Sequence, residues 1–169
     1  MKHFISRRNF LKAAGVTAAA SAMAAAVPQA SAGFLTGKDA AVTILYTNDV
    51  HTYIDNKSPK LTYAAIAAMK QGYVDEGKPV LLVDAGDHIQ GTAYGSMDDG
   101  ATIIELMNEA GYDIATLGNH EFDYGMARTK AIIKEADFPY VSCNWVDLRT
   151  GLRVLPAVKL FPAGGKWIA

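Results

Sequence analysis

The segment Pro79-Val80-Leu81-Leu82-Val83-Asp84-Ala85 runs without a break into Gly86-Asp87-His88-Ile89-Gln90-Gly91-Thr92. A short apolar, β-branched run that ends in turn residues reads as a buried strand. The pattern occurs upstream at Ala41–Thr47, ahead of Asn48-Asp49-Val50-His51. It occurs again at Tyr112–Leu117, ahead of Gly118-Asn119-His120-Glu121-Phe122-Asp123-Tyr124-Gly125, and a fourth strand is expected at Tyr140–Cys143. Helical spacing fills the gaps. Leu61–Gln71 places Leu61, Ala64, Ala65, Ala68 and Met69 on one face and stops at Gly72 or Gly77. Ala101–Glu109 carries Ile103, Ile104, Leu106 and Met107 and closes at Gly111, and Met126–Ala136 stops before Pro139. Such alternation predicts βαβ units and a largely parallel sheet in a layered α/β domain.

Further on, Leu152–Phe161 reads as a strand, Gly164-Gly165-Lys166 as a hairpin turn, and Trp167-Ile168-Ala169 as the start of another strand. The last pattern stops after three residues, so the chain is expected to break off in mid-element. With 169 residues the sequence holds one domain or a piece of a larger one. It is 50% hydrophobic and 20% charged with a single cysteine, Cys143, which excludes a disulfide scaffold and a disordered tail. A net charge of −1 argues against a nucleic-acid polymer as partner.

That near-neutral charge is a cancellation. Residues 1–32 hold Lys2, Arg7, Arg8 and Lys12 and no acid, so the remainder carries 12 basic against 17 acidic residues. The basic start leads into an apolar run, Ala13 to Val27, then Pro28 and the triplet Ala30-Ser31-Ala32. These are the n-region, h-region and cleavage site of an export signal, with cleavage expected after Ala32. The run is shorter than the ~20 residues of a spanning helix, so no stable membrane span remains after cleavage. Ser6-Arg7-Arg8-Asn9-Phe10-Leu11-Lys12 resembles the twin-arginine signal of bacteria, which implies the twin-arginine machinery as partner and a periplasmic or extracellular destination. The expected division is a leader at 1–32 and a mature part at 33–169.

Three polar clusters follow three strands, and in a parallel sheet the carboxyl ends of strands share one edge where ligands bind. Asp49 and His51, two apart on an extended chain, would point the same way and offer an oxygen and a nitrogen donor, which suits Zn²⁺, Mn²⁺ or Fe rather than Ca²⁺. Asp87 has two oxygens and can bridge two cations about 3.5–4 Å apart. Gly86 and Gly118 are expected to clear the approach to the metals, and Asn119 offers a neutral oxygen. Taken singly, Asp49 is as well explained as a helix cap, and His88 better as a satisfied core or surface residue. The conjunction at three strand ends favours a site.

Asp49-x-His51, Gly86-Asp87-x-x-x-Gly91 and Gly118-Asn119-His120-Glu121 resemble the first three motifs of the calcineurin-like metallophosphoesterases. The flanking residues resemble the secreted branch that holds 5′-nucleotidases, UDP-sugar hydrolases and 2′,3′-cyclic-nucleotide phosphodiesterases. The resemblance implies a metallophosphoesterase-type α/β fold, β-sheets flanked by helices, present as its N-terminal part. It implies two divalent metal ions (Mn, Zn or similar), with Asp49 and His51 on the first, Asp87 bridging and Asn119 on the second. It also implies that His120 stabilises the transferring phosphoryl group and assists the leaving oxygen, with Asp123 orienting its imidazole. The substrate would be a nucleotide or related phosphate ester, contacted by Asn119 and His120.

The family completes its site with three further histidines and a C-terminal substrate domain, and no histidine follows His120 here. These residues alone are therefore expected to bind metal weakly and to be inactive without the rest. Two rival readings accompany the dimetal phosphohydrolase: a noncatalytic truncated product, and a dimanganese thiosulfohydrolase of the same fold.

Overall fold

A computed structural model describes residues 41–54 and 62–169. The chain divides into two units, Met1–Gly33 and Phe34–Ala169, and every described residue belongs to the second. Arg7, Arg8 and the Ala32 junction lie outside the described residues.

The elements follow the expected alternation. Strand β1 (Thr43–Thr47) is followed by helix α1 (Tyr63–Asp75), β2 (Val80–Asp84), a short α2 (Ala93–Ser96), α3 (Ala101–Ala110) and β3 (Ile114–Thr116). A 3₁₀ turn at His120–Phe122 leads into α4 (Met126–Glu135), β4 (Tyr140–Val141) and a hairpin of β5 (Phe161–Ala163) with β6 (Lys166–Ile168). The first four strands form one parallel sheet in the order β1-β2-β3-β4. Each connection moves one strand in the same direction, and α3 packs against both α1 and α4, so the crossover helices form a layer. This is the layered α/β fold the sequence predicts.

The core lies between that layer and the sheet. Leu82, Ile89, Ile103, Ile104, Met107 and Ile132 are fully buried, and Tyr112, Phe138 and Tyr140 pack with them. Each such aliphatic side chain contributes about 1.5–3 kcal/mol by leaving water. Two sequence expectations need correcting. Helix α1, packed on α3 and β2, buries Tyr63 and Ile66, while Ala64, Ala68 and Met69 face solvent. Of the two expected stops for this helix, the structure takes the second: it runs through Gly72 and turns at Gly77, whose φ of 68° suits glycine. Leu152–Phe161 is not a continuous strand: before Phe161, which opens β5, only Arg153 pairs, in a single bridge to Val146, and Pro156 lacks the amide a ladder needs.

The Gly164-Gly165 turn is as expected. Both residues are left-handed, with φ of 57° and 75°, as a two-residue hairpin turn requires. No helix among the described residues is long and apolar enough to cross a membrane.

Candidate metal and catalytic site

The clusters after β1, β2 and β3 meet on the carboxyl rim of the sheet, and their backbones are stitched together. The amides of Asp49 and His51 donate to the carbonyls of Gly86 and Asp87, at 3.1 and 3.0 Å. Asp49, His51, Thr52 and Asp87 all have positive φ, between 46° and 58°. Only one other described non-glycine residue, Asp99, does so. Left-handed backbone at such residues is costly and persists where surrounding bonds enforce it. Thr92 supplies part of that enforcement: its amide donates to Thr52 Oγ1 at 2.7 Å and its hydroxyl to the Thr52 carbonyl at 3.1 Å. Asp49 and His51 therefore converge through a tight left-handed turn and not, as expected, through the alternation of an extended chain. His51 Nε2 lies 3.7 Å from Asp49 Oδ1.

The donors are oriented as well as gathered. His51 Nδ1 is 3.0 Å from the Gln90 carbonyl, which can only accept, so Nδ1 carries the proton and the neutral ring keeps a lone pair on Nε2. One ligand atom each from His51, Asp87 and His120 falls within 4.8 Å of the others. His120 Nδ1 is 2.7 Å from Asp123 Oδ2. That hydrogen bond, reinforced by the charges of Asp123, Asp87 and Glu121, raises the imidazole's proton affinity above the ordinary histidine value. Asp49 is exposed and its carboxylate takes a hydrogen bond from the Asn48 side chain. Asn119 is exposed at the start of the 3₁₀ turn. An imidazole lone pair beside two carboxylates fits a divalent transition ion, so the donor chemistry agrees with the metal the motifs imply.

A second tier lies beneath the rim. Glu121 is fully buried and accepts backbone N–H bonds from Gly118 (2.6 Å), Asp87 (2.8 Å) and His88 (2.8 Å). His88 is also fully buried, its Nδ1 donating to Asp84 Oδ1 at 2.7 Å and its Nε2 lying 2.9 Å from the Tyr140 hydroxyl. Burial works against its charged form, but the Asp84 bond and the charges of Glu121, Asp84 and Asp87 outweigh burial and raise its pKa. His88 is thus a satisfied core histidine. Asp84 further accepts from Thr47 Oγ1 at 2.5 Å and from the Gly86 amide at 2.9 Å.

Sequence reasoning assigned no role to Glu121 or Asp84. The available signal was an acidic residue at the end of an apolar strand and another inside the Gly-Asn-His-Glu motif. The glycines also act differently from expectation. A Cβ on Gly86 would strike the Gly118 backbone, and one on Gly118 would overlap the Asp87 carboxylate. They make room for each other's loops and for Asp87, rather than for an approaching metal.

Residues 42–166 match the calcineurin-like phosphoesterase family and residues 5–27 the twin-arginine translocation pathway signal sequence. The chain belongs to the calcineurin-like phosphoesterase family and carries a signal for export across the membrane. A snake venom 5′-nucleotidase from Gloydius brevicauda is 40% identical over 114 residues, 61% of this chain and 19% of that protein. Among solved structures, a 5′-nucleotidase precursor from Thermus thermophilus superposes with a TM-score of 0.65 at 29% identity, covering 75% of this chain and 27% of that one. The NAD nucleotidase of Haemophilus influenzae gives 0.64 at 26% identity, covering 75% and 25%. The chain therefore spans about a fifth to a quarter of the length of these relatives.

Proposed function

We propose that this chain is the N-terminal part of the catalytic domain of an exported, metal-dependent phosphohydrolase of the 5′-nucleotidase type, acting on nucleotides or related phosphate esters. The observation that carries the reading is the convergence of His51, Asp87 and His120 within 4.8 Å at a strained rim. Asp49 and His51 would hold one divalent ion, Asp87 would bridge to a second, and Asn119 would complete the set from this chain. Bound there, two such ions supply Lewis acidity to phosphoryl oxygens and acidify water near neutral pH.

The protein's own groups do the rest. Gln90 keeps the proton of His51 on Nδ1, leaving Nε2 to ligate. Asp123 holds a proton on His120 Nδ1 and favours the imidazolium, which suits a group that neutralises charge on the phosphoryl oxygens and donates to the leaving oxygen. Asn119 and His120 would meet the phosphate itself. Cleavage after Ala32 would deliver residues from Gly33 onward to the periplasm or beyond.

The test is phosphate release from a nucleoside monophosphate by the full-length exported protein with Mn²⁺ or Zn²⁺. His120→Ala is expected to lower kcat by about 10²–10⁴. Two bound ions with no hydrolysis of any nucleotide would overturn the reading, and hydrolysis of a sulfate-terminated thiol conjugate instead would assign the fold to thiosulfohydrolase chemistry. Failure of the purified protein to hold metal would favour a noncatalytic product.

A further inference from the structure

Glu121 lies one residue from His120, yet its side chain has no exposed surface and cannot reach a substrate. Both of its oxygens are spent on backbone. Oε2 accepts from the amides of Asp87 and Gly118, at 2.8 and 2.6 Å, and so joins the loop after β2 to the loop after β3. Oε1 accepts from His88 at 2.8 Å and from Ile89 at 3.4 Å. The circuit then closes on itself, because Asp87 Oδ1 accepts from the amide of His120 at 2.8 Å. A second anchor fixes the residue from behind, where Thr129 Oγ1 donates to the Glu121 carbonyl at 2.7 Å.

A buried carboxylate is expensive unless each oxygen is satisfied, and backbone amides are fixed donors that satisfy it only in one arrangement of the two loops. Asp87 has a φ of 58°, a conformation that costs a non-glycine residue energy, and its amide is one of those donors. We propose that Glu121 is a positioning residue: it locks the left-handed backbone of Asp87 against Gly118, which places the Asp87 carboxylate and the His120 amide at their 2.8 Å separation. This deepens the metal-dependent reading above and rests on it for the consequence to metal binding, though not for the clamp itself. A glutamine keeps the shape but turns an NH₂ toward one of the two pairs of amide donors, so it cannot satisfy all four amides and the clamp is weakened.

The experiment compares the wild-type full-length protein with Glu121→Gln and, as a control, Tyr140→Phe. The control removes the hydroxyl beside His88 Nε2 and leaves the four amides on Glu121 intact. Manganese affinity is followed by electron paramagnetic resonance, and amide hydrogen exchange is measured without metal. Glu121→Gln is expected to weaken Mn²⁺ binding about 10- to 100-fold. It should also speed exchange selectively at Asp87, His88 and Gly118, while Tyr140→Phe keeps wild-type affinity. Wild-type affinity in Glu121→Gln, or a loss that Tyr140→Phe matches, overturns the proposal. If the wild type binds no Mn²⁺, the metal reading fails and the exchange pattern decides the clamp: unchanged exchange at the three amides overturns it. Should Glu121→Gln fold poorly, Glu121→Asp, with the charge kept on a shorter arm, is expected to give the same selective exchange.

Discussion

His120 Nδ1 donates to Asp123 Oδ2 across 2.7 Å, within a single turn of 3₁₀ helix. The bond raises the proton affinity of the imidazole, with the charges of Asp123, Asp87 and Glu121 adding to it and partial desolvation opposing it. In metal-free protein the His120 resonances are therefore expected to titrate above the ordinary value of about 6.5. Asp123→Asn should bring that midpoint down. In the loaded enzyme the same change should move the alkaline limb of kcat to lower pH. A midpoint that does not move on losing Asp123 would show that the carboxylate does not control the proton.

His88 predicts a pH-dependent stability. Its pKa in the folded state is raised above the unfolded value by Asp84 and Glu121. The sign follows: the stabilisation is full below the unfolded pKa and is lost as pH rises through the folded one. Urea unfolding of the wild type should show stability falling as pH rises from about neutral into the alkaline range. His88→Gln should be less stable by about 3–5 kcal/mol in mild acid, as for a broken buried ion pair, with a flatter pH profile. Parallel profiles for the two proteins would contradict this.

Two glycines should respond oppositely to alanine. Gly118→Ala puts a methyl into the Asp87 carboxylate, so metal affinity should fall about tenfold or more while the sheet still forms. Gly72→Ala adds a methyl in open space within α1 and should raise stability by about 0.5–1 kcal/mol without touching metal binding. Calorimetry and metal titration on both variants separate the outcomes.

Export depends on the leader. Replacing Arg7 and Arg8 by lysine keeps the charge but removes the paired guanidinium groups, and the protein should then stay in the cytoplasm at full length. For the wild type, mass spectrometry of the exported protein is expected to find Gly33 as the first residue. A different first residue would move the proposed cleavage site.

Much of this molecule is legible along the chain because its signals are local. The apolar runs at Val80–Asp84 and Thr43–Thr47 announce buried strands, and Gly111 and Gly77 mark helix ends, since each depends on neighbours a few residues away. The polar residues Asp49, His51, Asp87, Asn119 and His120 are recognisable as site candidates from residue type and their place after strands. What stayed hidden depends on partners far apart in sequence. The left-handed turn that brings Asp49 to His51 is enforced by the loop after β2 and by Thr92. Which side of α1 is buried was decided by what packs against it, and Leu152–Phe161 failed as a continuous strand for want of a ladder partner. The roles of Glu121 and Asp84 needed backbone amides and hydroxyls that only folding supplies. The sequence, then, determined which chemical groups stand at the rim. The tertiary structure decided their orientation, because a buried carboxylate is tolerable only where the fold delivers its hydrogen-bond donors.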